Sequence, residues 1–199
     1  MKKMQLAVFV SGGGSNLQAI IDAASSGKLD LDIALVLSNN ANAYGLERAR
    51  NSGIPTAVVN SKDFDSREEF IRAFLGTLEA HDVDFIALAG YLRKIPPELI
   101  QRFDGRIVNI HPGALPEFGG KGMFGIHVHE AVIESGRDNT AVTVHFVTEE
   151  YDEGAVIAVR EVPVLPDDTP ETLQARVLEV EHALYPEVLQ SLAEKLRSQ

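Results

Sequence analysis

Asn109 and His111 are the residues of this sequence whose types and spacing best fit a reaction centre. They lie in the segment NIHPG, residues 109–113, directly after a short apolar run at 106–108 that predicts a strand. Side chains two positions apart on extended backbone point to the same face, and ligands of open α/β sheets bind beyond the carboxyl ends of the strands. An amide beside an imidazole could therefore stabilise an oxyanion and move a proton, or it could be a satisfied polar pair before a proline turn.

Asp152 is the carboxylate that could complete this centre. It lies in the segment 149–154, which joins two predicted strands by a link of hairpin length and so predicts an antiparallel pair. If this hairpin neighbours the strand of His111, the carboxylate would orient the imidazole and favour its charged form. The chain has no cysteine, which removes thiolate nucleophiles, so the three groups favour direct group transfer over covalent catalysis.

The loop SGGGSN, residues 11–16, is a second candidate site. Gly12 and Gly14 have the spacing of a dinucleotide-binding fingerprint, but Leu17 occupies the position of its third glycine. The predicted second strand also ends in uncharged residues where an acidic residue would bind a ribose hydroxyl; these are Ser38, Asn39 and Asn40. A dinucleotide is therefore not expected, and the loop also lacks the lysine of a P-loop.

A glycine loop at a helix N-terminus still allows backbone N–H groups to approach a phosphate closely. We therefore predict that Gly14, Ser15 and Asn16 bind a phosphate monoester, and a tight turn without a ligand is the alternative. Arg67, at the start of another predicted helix, could supply the positive charge, although a solvated arginine at a helix end is equally consistent with its position.

The elements that must hold these residues alternate between strand and helix. Apolar runs predict strands at 6–10, 31–37, 56–59, 85–89, 106–108, 141–148 and 155–164. Helical spacing and capping patterns predict helices between them and a last helix that begins near Pro170. This alternation predicts an α/β protein with a doubly wound, mostly parallel, Rossmann-like sheet and an antiparallel C-terminal hairpin. The length of 199 residues is expected to form one domain, residues 1–199.

Charge and composition exclude several partners. Eighteen Lys and Arg against 29 Asp and Glu give a formal net charge of −11, which opposes binding to nucleic acid. The first apolar run is about five residues long, whereas a signal peptide core needs roughly 7 to 15 and a membrane span about 18. A cytoplasmic protein with no membrane contact is therefore expected.

His127 and His129 form an HxH pair, but residues two apart on a helix do not share a face, so no metal is predicted.

Six motifs, in the same order, resemble those of the phosphoribosylglycinamide formyltransferases, the folate-dependent enzymes of purine synthesis. They are SGGGSN at 11–16, FDSRE at 64–68, LAGYLR at 88–93, NIHP at 109–112, HFVTEEYDEG at 145–154 and EHALYP at 181–186. The resemblance extends over nearly the whole chain. It implies a formyltransferase-like fold and the transfer of the formyl group of 10-formyltetrahydrofolate to the amine of glycinamide ribonucleotide, without a metal.

The resemblance also implies a role for each candidate residue. Asn109, His111 and Asp152 match the catalytic trio of the family. Glu181 would bind near the glycinamide end of the acceptor. The phosphate of the acceptor would be bound by Gly14, Ser15, Asn16 and Arg67.

The folate would lie along the hairpin at 145–152. Its contacts would be Leu92, Arg93, Val147 and Asp152. On this assignment the N-terminal half, about 1–100, binds phosphate, and the C-terminal half, about 101–199, carries the folate and the chemistry. The protein would act as a monomer or a homodimer.

Other functions stay open at this level. Formyltetrahydrofolate hydrolase usually carries an added N-terminal regulatory domain, and the formyltransferase of initiator methionyl-tRNA an added C-terminal domain, and 199 residues leave room for neither. A non-catalytic nucleotide-binding module is a further alternative, which the presence of all three catalytic residue types opposes. The glycine-rich loop at 116–125 is either a mobile lid or a solvated loop, and His145 and His182 are expected to be structural.

Overall fold

The computed structural model describes residues 3–198, and its centre is a seven-stranded sheet between two layers of helices. The strands are β1 (Met4–Val10), β2 (Leu31–Ser38), β3 (Thr56–Val58), β4 (Phe85–Leu88), β5 (Ile107–His111), β6 (Asn139–Phe146) and β7 (Val156–Pro163). The helices are α1 (Ser15–Ser25), α2 (Tyr44–Asn51), α3 (Arg67–Glu79), α4 (Pro97–Arg102), α5 (Ile126–Glu134) and α6 (Pro170–Arg197). The predicted domain at 1–199 also contains Met1, Lys2 and Gln199, which lie outside the described residues.

The strand order in the sheet is β3-β2-β1-β4-β5-β6-β7. The first five strands are parallel, and β6 runs antiparallel to both β5 and β7. The predicted doubly wound, mostly parallel sheet with an antiparallel C-terminal hairpin is confirmed. The winding direction reverses between β1 and β4, so a crevice is expected outside the carboxyl ends of these strands.

The central strand β1 is buried on both faces because helices cover each side of the sheet. Leu6, Val8 and Val10 pack with residues of α1, α2, α5 and α6 on one face. Ala7 and Phe9 pack with residues of α3 and α4 on the other. Burial on two faces is why the strand is a continuous apolar run rather than an alternating one.

The strand β5 is longer than the apolar run at 106–108 predicts. It continues through His111, because the segment pairs with β6 and brings Asn109 opposite His145 and His111 opposite Thr143. The candidate pair therefore lies within the end of a paired strand, not in the loop that follows it.

Two of the predicted helix starts carry side-chain caps. The Ser66 side chain accepts a hydrogen bond from the backbone N–H of Glu69 at the start of α3. At the start of α6, Thr169 and Thr172 form a reciprocal capping box beside Pro170. Such caps contribute about 1 kcal/mol each.

Within residues 3–198, no helix combines the length and apolarity that crossing a bilayer requires.

The long helix α6 is fixed to the sheet close to the candidate pair. The buried hydroxyl of Tyr185 donates to the backbone carbonyls of Leu88, at 2.9 Å, and Val108, at 3.2 Å. These carbonyls belong to neighbouring strands, β4 and β5. Glu181 lies one helical turn before Tyr185 and therefore faces the same end of the sheet.

Candidate active site

A cavity of about 360 Å³ lies at the carboxyl ends of β4 and β5, under the link between β6 and β7. Eight of the eleven predicted site residues line it: Asn16, Leu92, Arg93, Asn109, His111, Val147, Asp152 and Glu181. Gly14, Ser15 and Arg67 are not among its lining residues. The sequence motifs thus converge on one site, although they are spread over most of the chain.

The link between β6 and β7 brings Asp152 next to His111. The Asp152 carboxylate oxygen Oδ2 lies 3.7 Å from Nδ1 of His111 and accepts a hydrogen bond of 2.9 Å from the backbone N–H of Gly120. Asp152 has a left-handed backbone with φ of 57°, which suits the tight turn. At the end of the link, Gly154 packs so closely against Phe146 that a Cβ would collide with the Phe146 carbonyl oxygen.

The hydrogen bonds of His111 show which ring nitrogen carries its proton. Nε2 lies 2.7 Å from the backbone carbonyl oxygen of Phe118, and a carbonyl oxygen only accepts, so Nε2 must donate. In the neutral ring Nδ1 is then unprotonated, and it faces Asp152. Any proton that His111 gains or releases therefore resides on Nδ1.

Burial lowers the pKa of His111 below its ordinary value of 6.5. The charge of Asp152 and the Phe118 carbonyl raise the pKa, but they do not overcome burial. The expectation that Asp152 favours the charged imidazole is correct in direction. The net pKa is nevertheless lowered, since a nearly buried ring loses more hydration than the carboxylate replaces.

His145 belongs to the site, although its sequence position suggested only a structural role. It is buried, and its Nδ1 donates to the backbone carbonyl of Phe146 at 2.8 Å. In the neutral ring its Nε2 is then an acceptor, and it receives a hydrogen bond of 3.2 Å from the Asn109 side-chain amide. This contact directs the Asn109 amide N–H groups. The pairing of β6 with β5 would have predicted this role, because it places His145 directly across from Asn109.

The same histidine also contacts Asp152, with 3.4 Å between Nε2 and Oδ1. Burial acts to raise the pKa of Asp152, but the neighbouring His145 and His111 rings and the hydrogen bond from the Gly120 N–H together hold that pKa below its ordinary value. Asp152 is therefore a carboxylate at neutral pH. Asn109, His111, His145 and Asp152 form one connected polar cluster.

A second polar pair lines the cavity. The Asn16 side-chain nitrogen donates to Oε2 of Glu181 at 3.2 Å, and both side chains are buried. Burial raises the pKa of Glu181 to about 7, and the bond from Asn16 only partly offsets that effect. A buried carboxylate with a single hydrogen bond favours a further donor or a cation beside it.

The glycine loop is fixed by α2 and not by Arg67. Gly14 has a left-handed backbone with φ of 70° and immediately precedes α1, which begins at Ser15. The Arg67 guanidinium instead forms a double hydrogen bond to the Glu98 carboxylate at an exposed position. The cation that contacts the loop is Arg48, whose Nε donates to the Gly13 carbonyl at 2.8 Å. The role of Arg67 in phosphate binding stays a prediction.

The glycine-rich loop at 116–125 forms one wall of the cavity, through Lys121 and Met123 among others. In α5 beyond it, His129 is buried and lines the cavity, and burial lowers the pKa of His129 to about 4. His127 is exposed and contacts Glu130 instead. Across residues 3–198, no group of His, Cys, Asp or Glu side chains has a geometry suited to a metal ion.

This geometry defines a group-transfer site with an oriented amide donor, a histidine–carboxylate pair and an adjacent binding cavity. A family model described as formyl transferase matches residues 4–189. The chain is 46% identical over 195 residues to a chloroplastic phosphoribosylglycinamide formyltransferase of Vigna unguiculata, with 98% of this chain and 62% of that protein covered. It is 41% identical over 191 residues to the Escherichia coli (strain K12) phosphoribosylglycinamide formyltransferase, with 96% and 88% covered.

Solved structures share the fold. Glycinamide ribonucleotide transformylase 1 from Symbiobacterium toebii superposes with a TM-score of 0.90 at 40% identity, covering 97% of this chain and 89% of that one. A formyltetrahydrofolate deformylase from Pseudomonas syringae pv. tomato superposes with a TM-score of 0.86 at 25% identity, covering 98% and 62%. The chain belongs to the formyl transferase family. The resemblance drawn from the sequence motifs is confirmed.

We expect Asp152→Asn to lower the pKa of His111 further, because the variant removes the negative charge that favours the imidazolium. An NMR titration of the His111 ring measures the shift. Glu130→Gln, at an exposed carboxylate of α5, is the matched control and should leave the titration of His111 unchanged. An equal His111 pKa in Asp152→Asn and wild type would show that the carboxylate does not act on this ring.

We expect Glu181→Gln to stabilise the fold increasingly as pH rises. The pKa of Glu181 is about 7 in the folded chain against an ordinary value of 4.5, so the folded wild type holds a proton that the unfolded chain has lost, and stability falls between these pH values. Above pH 8 the variant should be more stable by about 3 kcal/mol. Denaturant unfolding at a series of pH values measures this. The exposed control Glu179→Gln should show no such trend, and parallel curves for wild type and Glu181→Gln would contradict the assignment.

Proposed function

We propose that this protein transfers the formyl group of 10-formyltetrahydrofolate to the amine of glycinamide ribonucleotide, a step of de novo purine biosynthesis. The observation that carries the proposal is the single cavity shared by two polar groups. Asn109, His111 and Asp152 form one wall, and the buried pair Asn16 and Glu181 forms another. The relatives named above as glycinamide ribonucleotide enzymes support the choice of acceptor.

The acceptor would be held at both of its ends. Its phosphate would bind to backbone and side-chain donors at the start of α1, from Gly14, Ser15 and Asn16, where the positive end of the helix favours an anion. Its glycinamide end would lie near Glu181. A buried carboxylate of raised pKa supports this placement, because an amine or hydroxyl donor replaces the hydration that Glu181 has lost.

The folate would occupy the part of the cavity between the segment after β4 and the β6–β7 hairpin. Leu92 and Arg93 line one side, and Val147 and Asp152 line the other. Leu92 is a large apolar residue with an exposed side chain, and a planar ring system packed against it would remove that surface from water. This orientation would direct the formyl group toward Asn109.

The reaction would proceed by direct attack. The acceptor amine forms a bond to the formyl carbon, and the carbonyl electrons move to the formyl oxygen, which becomes an oxyanion. The Asn109 amide, already directed by His145, donates to this oxyanion. Collapse of the tetrahedral intermediate breaks the bond to N10 of the folate, and the proton lost by the amine ends on N10.

His111 and Asp152 would move that proton. The Nδ1 atom of His111 is the ring position that can hold it, since Nε2 donates to the Phe118 carbonyl. Negative charge on the intermediate raises the proton affinity of His111 at the moment when a donor is needed. Asp152 holds the ring and stabilises its charged form during the transfer.

Formyltetrahydrofolate hydrolysis is the closest alternative, because a deformylase shares the fold. The buried Asn16–Glu181 pair opposes it. If water were the acceptor, no substrate group would bind to this pair. Formylation of methionyl-tRNA is opposed by the net charge of −11. A non-catalytic module would have no need for an oriented amide, histidine and carboxylate in one cluster.

An acceptor assay tests the proposal. Release of tetrahydrofolate from 10-formyltetrahydrofolate is measured with glycinamide ribonucleotide, with water alone and with initiator methionyl-tRNA. We expect turnover with glycinamide ribonucleotide only. Equal release without an acceptor would assign the hydrolase activity, and no turnover in any mixture would contradict the proposed function.

Asn109→Ala should lower kcat about a hundredfold or more with little change in KM, because one oxyanion donor contributes roughly 3 to 4 kcal/mol to the transition state alone. Steady-state kinetics with both substrates measure this. Asn51→Ala, at the exposed end of α2, is the matched control and should be as active as wild type. Near-wild-type turnover by Asn109→Ala would remove Asn109 from the mechanism.

A further inference from the structure

Arg48 holds the glycine loop from its α2 side. The Arg48 Nε donates to the Gly13 carbonyl at 2.8 Å, and one terminal nitrogen donates to the Gln18 side chain at 3.1 Å. The guanidinium also lies over the Tyr44 ring, 4.9 Å from its centroid. In residues 3–198, Arg48 has no carboxylate at ion-pair distance, in contrast to Arg67. Its positive charge is therefore not neutralised locally.

A second contact from α2 acts on the neighbouring peptide. The backbone N–H of Gly45 donates to the Gly12 carbonyl at 3.0 Å. The carbonyls of Gly12 and Gly13 thus both point toward α2. In a trans peptide the C=O and the N–H point in opposite directions, and both peptides are trans. The N–H groups of Gly13 and Gly14 therefore point away from α2.

Close packing keeps the loop in this position. A Cβ on Gly14 would lie 2.8 Å from the Cα of Gly45, and a Cβ on Gly45 would lie 2.9 Å from a methyl group of Val10. The loop and α2 are thus in direct backbone contact, and the backbone of α2 packs against the Val10 side chain of β1. Small shifts of the loop are opposed on this side, so the direction of its N–H groups is fixed before any ligand binds.

An unpartnered polar atom beside the loop indicates that a ligand belongs there. Asn16 is only 8% exposed and lines the cavity, yet its side-chain oxygen has no hydrogen-bond partner. Buried polar atoms are nearly always hydrogen-bonded. A hydroxyl or amine of a bound molecule next to the start of α1 would donate to this oxygen, whereas a phosphate oxygen would not.

We propose that Arg48 is a positioning residue for the phosphate of the acceptor substrate. Its hydrogen bond to the Gly13 carbonyl orients and polarises the Gly13–Gly14 peptide, whose N–H then donates to a phosphate oxygen. The guanidinium does not contact the ligand and acts through this peptide. The inference rests on the proposed function, which places the phosphate at the start of α1.

The test compares Arg48→Met and Arg48→Lys with the control Arg50→Met, an exposed arginine of the same helix. Steady-state kinetics are measured with glycinamide ribonucleotide and with glycinamide riboside, which lacks the phosphate. We expect Arg48→Met to raise KM for the ribonucleotide about tenfold or more, with kcat within about twofold. For the riboside, KM should stay within about twofold of wild type. Arg48→Lys, which keeps the charge and one donor, should fall between wild type and Arg48→Met.

A binding measurement separates this inference from the proposed function. Ribose 5-phosphate is titrated calorimetrically into each protein, which requires no turnover. We expect wild type and Arg50→Met to bind it equally and Arg48→Met to bind it about tenfold more weakly or not at all. Far-UV circular dichroism and thermal melting establish that each variant is folded. If Arg48→Met does not fold, Arg48→Lys is compared with wild type in its place.

Three outcomes would overturn the role of Arg48. The first is an equal rise of KM for the ribonucleotide and the riboside in Arg48→Met. The second is an unchanged affinity of the Arg48 variants for ribose 5-phosphate, and the third is no binding of ribose 5-phosphate by wild type. Absence of formyl transfer together with an Arg48-dependent affinity for ribose 5-phosphate would instead contradict the proposed function and leave the phosphate loop as assigned.

Discussion

The antiparallel pairing of β6 with β5 is the constraint on which the candidate site depends. It places His145 directly across from Asn109, so that the imidazole of one strand orients the amide of the other. The same pairing ends β6 beside Val108, and the link that follows brings Asp152 to both histidines.

Burial gives this cluster its electrostatic character. His111 and His145 are almost fully enclosed, and burial keeps the pKa of His111 low despite the neighbouring Asp152 carboxylate. With His111 neutral, the Asp152 carboxylate carries the negative charge of the ligand-free cluster. Negative charge that develops on a bound substrate would shift the His111 equilibrium toward the imidazolium, so the site is able to supply a proton only where the reaction requires one.

The helix α6 joins the two halves of the cavity. Glu181 and Tyr185 lie one turn apart on it; Glu181 contacts Asn16 of α1, and Tyr185 contacts the carbonyls of Leu88 in β4 and Val108 in β5. The proposed acceptor side and the proposed catalytic side of the cavity are thus both in contact with one helix. A shift of α6 would move both sides together, which suits a reaction whose two substrates must meet at a fixed distance.

The sequence by itself determined the elements and most of the residues that meet at the site. Apolar runs, glycine loops and caps have local causes, so the parallel sheet, its order of elements and the candidates Asn109, His111 and Asp152 could be read from the chain. Only the tertiary structure decided which residues contact each other. His145 joined the cluster through strand register, Arg48 rather than Arg67 contacted the glycine loop through the packing of α2 on α1, and the pKa of His111 fell because burial outweighed its partner. Register, helix packing and burial are properties of distant segments brought together, and no local pattern encodes them.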